Sequence, residues 1–167
     1  TSQLAKAILR FPMRRHIKSR FPFMNRTRLR EVVATDTMFS NCRAIGGYTC
    51  AQVFYGLTSH CIDVYGLKSE NEGHQAYRDF IRQQGAPSAL RRDNSRMQSG
   101  DKFKLTNREF LIDGEFTEPM HPQQNPTESM AIRWLKSHVQ LLLDRVRAPE
   151  VTWMDACTYL AAIHNRT

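Results

Sequence analysis

Three acidic residues, Asp36, Asp93 and Glu128, lie where a carboxylate is unusual. Asp36 interrupts the apolar run EVVATDTMF, Asp93 follows the short run PSALR and Arg92, and Glu128 precedes a long amphipathic run. A carboxylate in a buried strand is hard to keep charged, and a divalent cation compensates that charge. Mg²⁺ and Mn²⁺ prefer oxygen ligands, and two such ions promote displacement at phosphorus. Convergence of the three acids therefore predicts an Mg²⁺ or Mn²⁺ site that processes phosphodiesters; three unrelated acids are the alternative.

Other polar residues in strand-like runs are alternative candidates for a functional site. Asp63 lies between Ile62 and Val64, and this alternation predicts that it faces solvent or an arginine. A zinc site is an alternative use of the cysteines, although cysteines that alternate within strands are usually core residues. That zinc site would use Cys42, Cys50, His60 and Cys61.

Hydrophobic periodicity predicts the order strand, strand, strand, helix, strand, helix, strand, helix, helix. Strands are expected at 31–39, 48–57, 60–67, 87–91 and 115–119. Helices are expected at 70–84, in the polar stretch up to about 110, from Glu128 to Val146, and at 151–164. This order predicts an α/β sandwich: one mixed five-stranded sheet, its first three strands antiparallel, with helices on both faces.

The charge distribution indicates the kind of partner. The 167-residue chain has a formal net charge of +8, which favours nucleic acid as partner, with an anionic membrane surface second. Residues 1–30 hold nine lysines and arginines and no acid, so we expect a basic arm there and a domain over 31–167. A solvated linker is the alternative reading of the arm. The absence of C-x-x-C pairs and of a signal or spanning segment predicts a reduced, intracellular protein, and the start at Thr1 predicts a piece of a longer one.

Five sequence blocks in order resemble the catalytic core of copia-type LTR retrotransposon integrases, in the retroviral integrase superfamily. They are VVATDTMFS, VYGLKS, RRDNS, HPQQNPTE and WMDACTYLAAIHNRT, and they span residues 31–167. The resemblance implies a ribonuclease-H-like three-layer sandwich with Asp36, Asp93 and Glu128 as catalytic metal ligands. It further implies insertion of element DNA into target DNA by attack of a 3′ hydroxyl on a phosphodiester, with Mg²⁺ or Mn²⁺. A cytoplasmic particle and the nucleus are the implied locations.

The resemblance and the helical spacing together indicate partners. Arg133 and Lys136 lie off the apolar stripe of their helix and can follow a phosphate backbone, or simply face solvent. The remaining DNA contacts are expected from Arg92, Asn94, Gln123, Gln124 and Asn125. The apolar runs 139–146 and 151–163 are candidates for a homo-oligomer interface. Two other functions stay open: a non-catalytic DNA-binding module, and a ribonuclease-H-like nuclease that cleaves RNA–DNA hybrids.

Overall fold

The structure, a computed structural model, describes residues 19–92, 101–116 and 126–166. Its first three strands follow one another in the chain and are rich in β-branched and aromatic residues, which pack well on a pleated surface. They are β1 (Val32–Phe39), β2 (Cys50–Gly56) and β3 (Ile62–Leu67). Gly46 and Gly47 turn the chain between β1 and β2 with φ of 88° and 87°, a conformation that favours glycine. The three predicted strands are confirmed within two residues at each end.

The next elements alternate between helix and strand: α1 (Gly73–Gln83), β4 (Ala89–Arg92), α2 (Asp101–Phe110) and β5 (Asp113–Phe116). A 3₁₀ turn at Glu70–Glu72 precedes α1, where Ser69 Oγ accepts a hydrogen bond from the Asn71 N–H at 3.4 Å. Glu72 Oε2 accepts from the Lys68 N–H at 2.9 Å. Strand β5 begins two residues before the predicted 115–119, because it extends to pair with all of β4.

The last third of the described chain is helical. A π-helical turn, Thr127–Ile132, leads directly into α3 (Arg133–Val146), and α4 (Trp153–His164) follows after a short 3₁₀ turn. The predicted helix from Glu128 therefore exists, but its first turn is wider than an α-helix.

The order of strands in the sheet is β3-β2-β1-β4-β5. Strands β1, β2 and β3 pair antiparallel, whereas β4 pairs parallel with β1, and β5 pairs parallel with β4. Although β4 follows β3 in the chain, it lies beside β1 and runs parallel to it. The chain reaches this position by a crossover connection that contains α1, since parallel strands cannot be joined by a tight turn. The sheet is therefore mixed and five-stranded.

Helices cover both faces of the sheet, which is compatible with a three-layer α/β arrangement. We call the side covered by α1 and α2 the α1 face; its core includes Phe54, Tyr77 and Phe80. We call the side covered by α3 and α4 the α3 face; its core includes Val53 and Leu135. No helix in the described ranges is long and apolar enough to span a lipid bilayer.

Candidate catalytic site

Asp36 lies in the middle of β1, directly opposite Val53 of β2. Successive side chains of a strand point to opposite faces, so Asp36 shares the α3 face with Met38, which belongs to the core of that face. Its side chain is half-buried, and Oδ1 accepts a hydrogen bond from the Thr37 N–H at 2.7 Å. The structure thus places this carboxylate beneath the layer formed by α3 and α4.

A buried polar network fixes β1 on either side of Asp36. Gln52 Nε2 donates to Thr35 Oγ1 at 2.7 Å, and Thr37 Oγ1 donates to Gln52 Oε1 at 3.1 Å. Thr35 Oγ1 in turn donates to the Val53 carbonyl at 2.9 Å. Thr35 and Gln52 are at most 1% exposed, so these bonds form in a low dielectric, where they restrict the strand most. This network was not predicted from the sequence, in which its signal is a glutamine within an otherwise apolar strand.

Glu128 lies in the π turn, and its side chain is exposed. The Arg133 N–H donates to the Glu128 carbonyl five residues earlier, which widens the helix at this point. Ala131 and Ile132 of the turn belong to the same core as Met38, so the turn packs on the α3 face over β1 and β2. Isolated π turns are rare and occur frequently at functional sites.

Tyr55 of β2 contacts the π turn from below. Its hydroxyl lies 3.8 Å from Met130 Sδ and 2.6 Å from His60 Nδ1. Burial raises the pKa of the Tyr55 hydroxyl. This side chain therefore links the turn that carries Glu128 to the sheet.

Asp93, together with Asn94, Gln123, Gln124 and Asn125, lies outside the described residues. The residue before Asp93 is described: Arg92 ends β4 and pairs with Thr35, the residue before Asp36. The structure therefore brings together β1, which carries Asp36, and the π turn, which carries Glu128. Strand β4 ends beside β1.

Arg92 is not the surface DNA contact that sequence analysis predicted. It is 1% exposed, and its guanidinium lies over the Phe103 ring, 5.3 Å from the centroid, on the α1 face. Burial lowers the pKa of Arg92, although the neighbouring Tyr77 acts in the opposite direction. The prediction is wrong because alternation along β4 points Arg92 inward, away from the face that carries Asp36.

Asp63 alternates with Ile62 and Val64, as the sequence predicts, since those two residues pack on the α3 face. It lies opposite Phe54 in the sheet, so it faces the α1 side, and Gln84 Nε2 donates to its Oδ1 at 2.9 Å. Its hydrogen-bond partner is therefore an amide, and its side chain remains partly exposed. Asp63 and Asp36 lie on opposite faces of the sheet and cannot share a site.

The alternative zinc site is excluded by the β2–β3 hairpin. Cys50 lies at its open end, opposite Leu67, whereas Cys61 lies at the closed end, next to the Tyr55–Ile62 pair. Five residues of strand separate these ends by roughly 17 Å, whereas ligands that share one zinc ion lie about 2.3 Å from it. Cys50 is a buried core residue, as expected.

Arg133 and Lys136 are exposed on α3, one and two turns beyond Glu128. Lys136 lines a cavity of about 310 Å³ between α3, α4 and the end of β1, together with Met38, Phe39 and Trp153. Helical spacing thus correctly predicts that both cations lie off the buried stripe of α3, and their contact with phosphates stays a prediction.

Within residues 19–92, 101–116 and 126–166, no three His, Cys, Asp or Glu side chains form a group suited to a metal ion. Those ranges contain two of the three predicted ligands, since Asp93 lies outside them. Comparison with known proteins finds no family model that matches the chain and no significantly similar curated protein.

Proposed function

We propose that this chain is the catalytic core of a divalent-metal-dependent polynucleotidyl transferase of the integrase type, with Asp36, Asp93 and Glu128 as metal ligands. The main support for this proposal is the pairing of β1 with β4. It ends with Thr35 beside Arg92, and in the sequence each of these two residues is followed by an aspartate. The third acid lies on a turn that packs on the face toward which Asp36 points.

The proposal includes a ribonuclease-H-like fold. A mixed sheet with helices on both faces is compatible with that fold, which the five sequence blocks imply. Carboxylate oxygens are the donors that Mg²⁺ and Mn²⁺ prefer, so the three proposed ligands suit either ion. When bound, such ions activate an attacking oxygen and stabilise a leaving oxygen at phosphorus.

The protein's own groups position the reactants. The Thr37 N–H and the network around Gln52 hold Asp36, and Tyr55 supports the turn that carries Glu128. Arg133 and Lys136 place positive charge beside that turn, where they attract and orient the phosphates of a DNA end or target. The proposal also includes self-association through apolar side chains that α3 and α4 expose.

Substitution of the three acids tests the proposal. Asp36→Asn, Asp93→Asn and Glu128→Gln are each expected to reduce Mn²⁺-dependent cleavage and joining of DNA ends by more than about a thousandfold. Each variant should also lose Mn²⁺ affinity in calorimetric titrations while its circular dichroism stays unchanged. Asp63→Asn is the matched control, because it makes the same change in a strand on the opposite face. Full activity in any one of the three variants would rule out the assigned ligand set.

Two other outcomes identify the competing functions. DNA binding that needs no divalent metal, without Mn²⁺ binding or turnover, would assign a non-catalytic DNA-binding module. Faster cleavage of an RNA–DNA hybrid than of duplex DNA would assign a ribonuclease-H-like nuclease. Both measurements use the same purified chain and the same three variants.

A further inference from the structure

A groove lies where residues 19–27 cross the last turns of α1 and α2. Its main cavity, about 730 Å³, is lined by Arg20, Arg26, Arg78 and Glu109, among others. A smaller cavity of about 90 Å³ adjoins it, shares Arg26, and adds Arg82. We call these two cavities together the arginine groove.

The wall formed by residues 19–27 is fixed at its end by Thr27 and the residues after it, and its turn Pro22–Asn25 contacts α2. The Leu29 N–H donates to the Ala86 carbonyl, and the Ala86 N–H donates to the Thr27 carbonyl, both at 2.8 Å. Arg28 donates to the carbonyls of Phe110 and Leu111 at the end of α2, where a cation also complements the helix dipole. These contacts account for Arg28 and make the groove a preformed feature.

The turn within this wall is closed by its own polar groups. The Ser19 N–H donates to Asn25 Oδ1 at 2.7 Å, and Asn25 Nδ2 donates to the Ser19 carbonyl at 2.9 Å. Arg20, within this turn, and Arg26, directly after it, are therefore presented from an ordered backbone. Both side chains are exposed.

The groove has an excess of positive charge. Glu109 pairs with Arg78 at 2.8 Å, and Asp79 pairs with Arg82 at 3.0 Å. In the described part of the chain, neither Arg20 nor Arg26 forms an ion pair with an acid.

We infer that the arginine groove binds the phosphate backbone of a nucleic acid segment, separately from the carboxylate site. Guanidinium groups bind phosphate oxygens through paired N–H donors, and a groove with excess arginines follows a polyanion better than a single anion. The groove lies over helices of the α1 face, whereas Asp36 points to the α3 face. One chain can therefore hold two nucleic acid segments, one on each side of its sheet.

The test measures binding of a labelled duplex oligonucleotide by fluorescence anisotropy in EDTA, so that the carboxylate site cannot contribute through metal. The double variant Arg20→Ala, Arg26→Ala should lose roughly tenfold in affinity at low salt, and its slope of log affinity against log salt should fall by about 2. The control Arg145→Ala, Arg166→Ala removes two exposed arginines on the α3 side and changes the net charge equally. It should change affinity by less than about twofold.

Other results would overturn the inference. Equal losses in the two double variants would show that net charge, rather than the groove, attracts DNA. Groove-dependent binding to phosphatidylserine vesicles without binding to DNA would assign a membrane surface instead. Mn²⁺ affinity and thermal unfolding should be the same in both double variants as in the parent, so failure of this inference is distinguishable from failure of the catalytic proposal.

Discussion

Arg92 and Arg91 show how neighbouring residues of one type take different roles. Arg92 is buried against Phe103, whereas Arg91 is half-buried and pairs with Glu115 at 2.9 Å on the other face of the sheet. We expect Arg92→Ala to lower the free energy of unfolding by about 3 kcal/mol, because it leaves a cavity and removes a cation–π contact. Arg91→Ala, the control, should cost at most about 1 kcal/mol, since it breaks only a partly exposed ion pair.

Urea unfolding of the two arginine variants measures this difference. DNA affinity of folded Arg92→Ala should match that of the parent, because the guanidinium is inaccessible. A large loss of DNA affinity with unchanged stability would restore Arg92 as a DNA contact.

Asp63, in the edge strand β3, should make the stability of the folded chain depend on pH. Burial raises the pKa of the Asp63 carboxyl, and the hydrogen bond from Gln84 opposes this only in part. The folded state therefore holds the proton more tightly than the unfolded chain does, and this stabilisation is present below the ordinary pKa and lost as pH rises through the folded-state pKa. Asp63→Asn cannot ionise, so its stability relative to the parent should increase between about pH 4 and pH 7. Urea unfolding across that range measures the difference, and a pH-independent difference would contradict the expectation.

At the scale of elements, α3 has a buried apolar stripe and also exposes apolar side chains to solvent. Leu135 is fully buried, yet Leu141 is 56% exposed, and Tyr159 and Ile163 of α4 are also exposed. Such side chains gain free energy when a second copy covers them, so we expect light scattering to show a mass above the 19.4 kDa of one chain. Leu141→Lys should reduce this mass toward that of the monomer.

The matched control for this interface is Leu105→Lys. Leu105 is 60% exposed on α2, so it presents a similar side chain on the opposite side of the sheet. An unchanged mass in Leu141→Lys, or an equal fall in Leu105→Lys, would exclude association through α3.

At the scale of the whole molecule, the sheet separates two charged regions. The α3 face carries Asp36, the π turn with Glu128, and the cations of α3 beside it. The arginine groove lies beyond the helices of the other face. The separation follows from the topology, because β4 returns beside β1 and its connecting helix α1 must cover the face opposite α3.

The sequence by itself determined the type and order of the elements. Period-two runs such as EVVATDTMF and the helical stripe from Ile132 to Val146 are local patterns, and local patterns fix local structure. These local patterns also identified the acids that lie within an apolar run or next to one in the sequence. For the same reason the predicted strands and helices agree with the structure, apart from end residues and the π turn.

Only the tertiary structure decided which elements are neighbours and which face each side chain occupies. The pairing of β4 with β1 joins residues far apart in the chain, and no local pattern encodes that choice. Arg92 was misjudged for this reason: a one-residue shift along a strand reverses its faces, and only packing against helices sets which face is buried. The arginine groove likewise exists because residues 19–27 are fixed against α1 and α2, which charge alone does not determine.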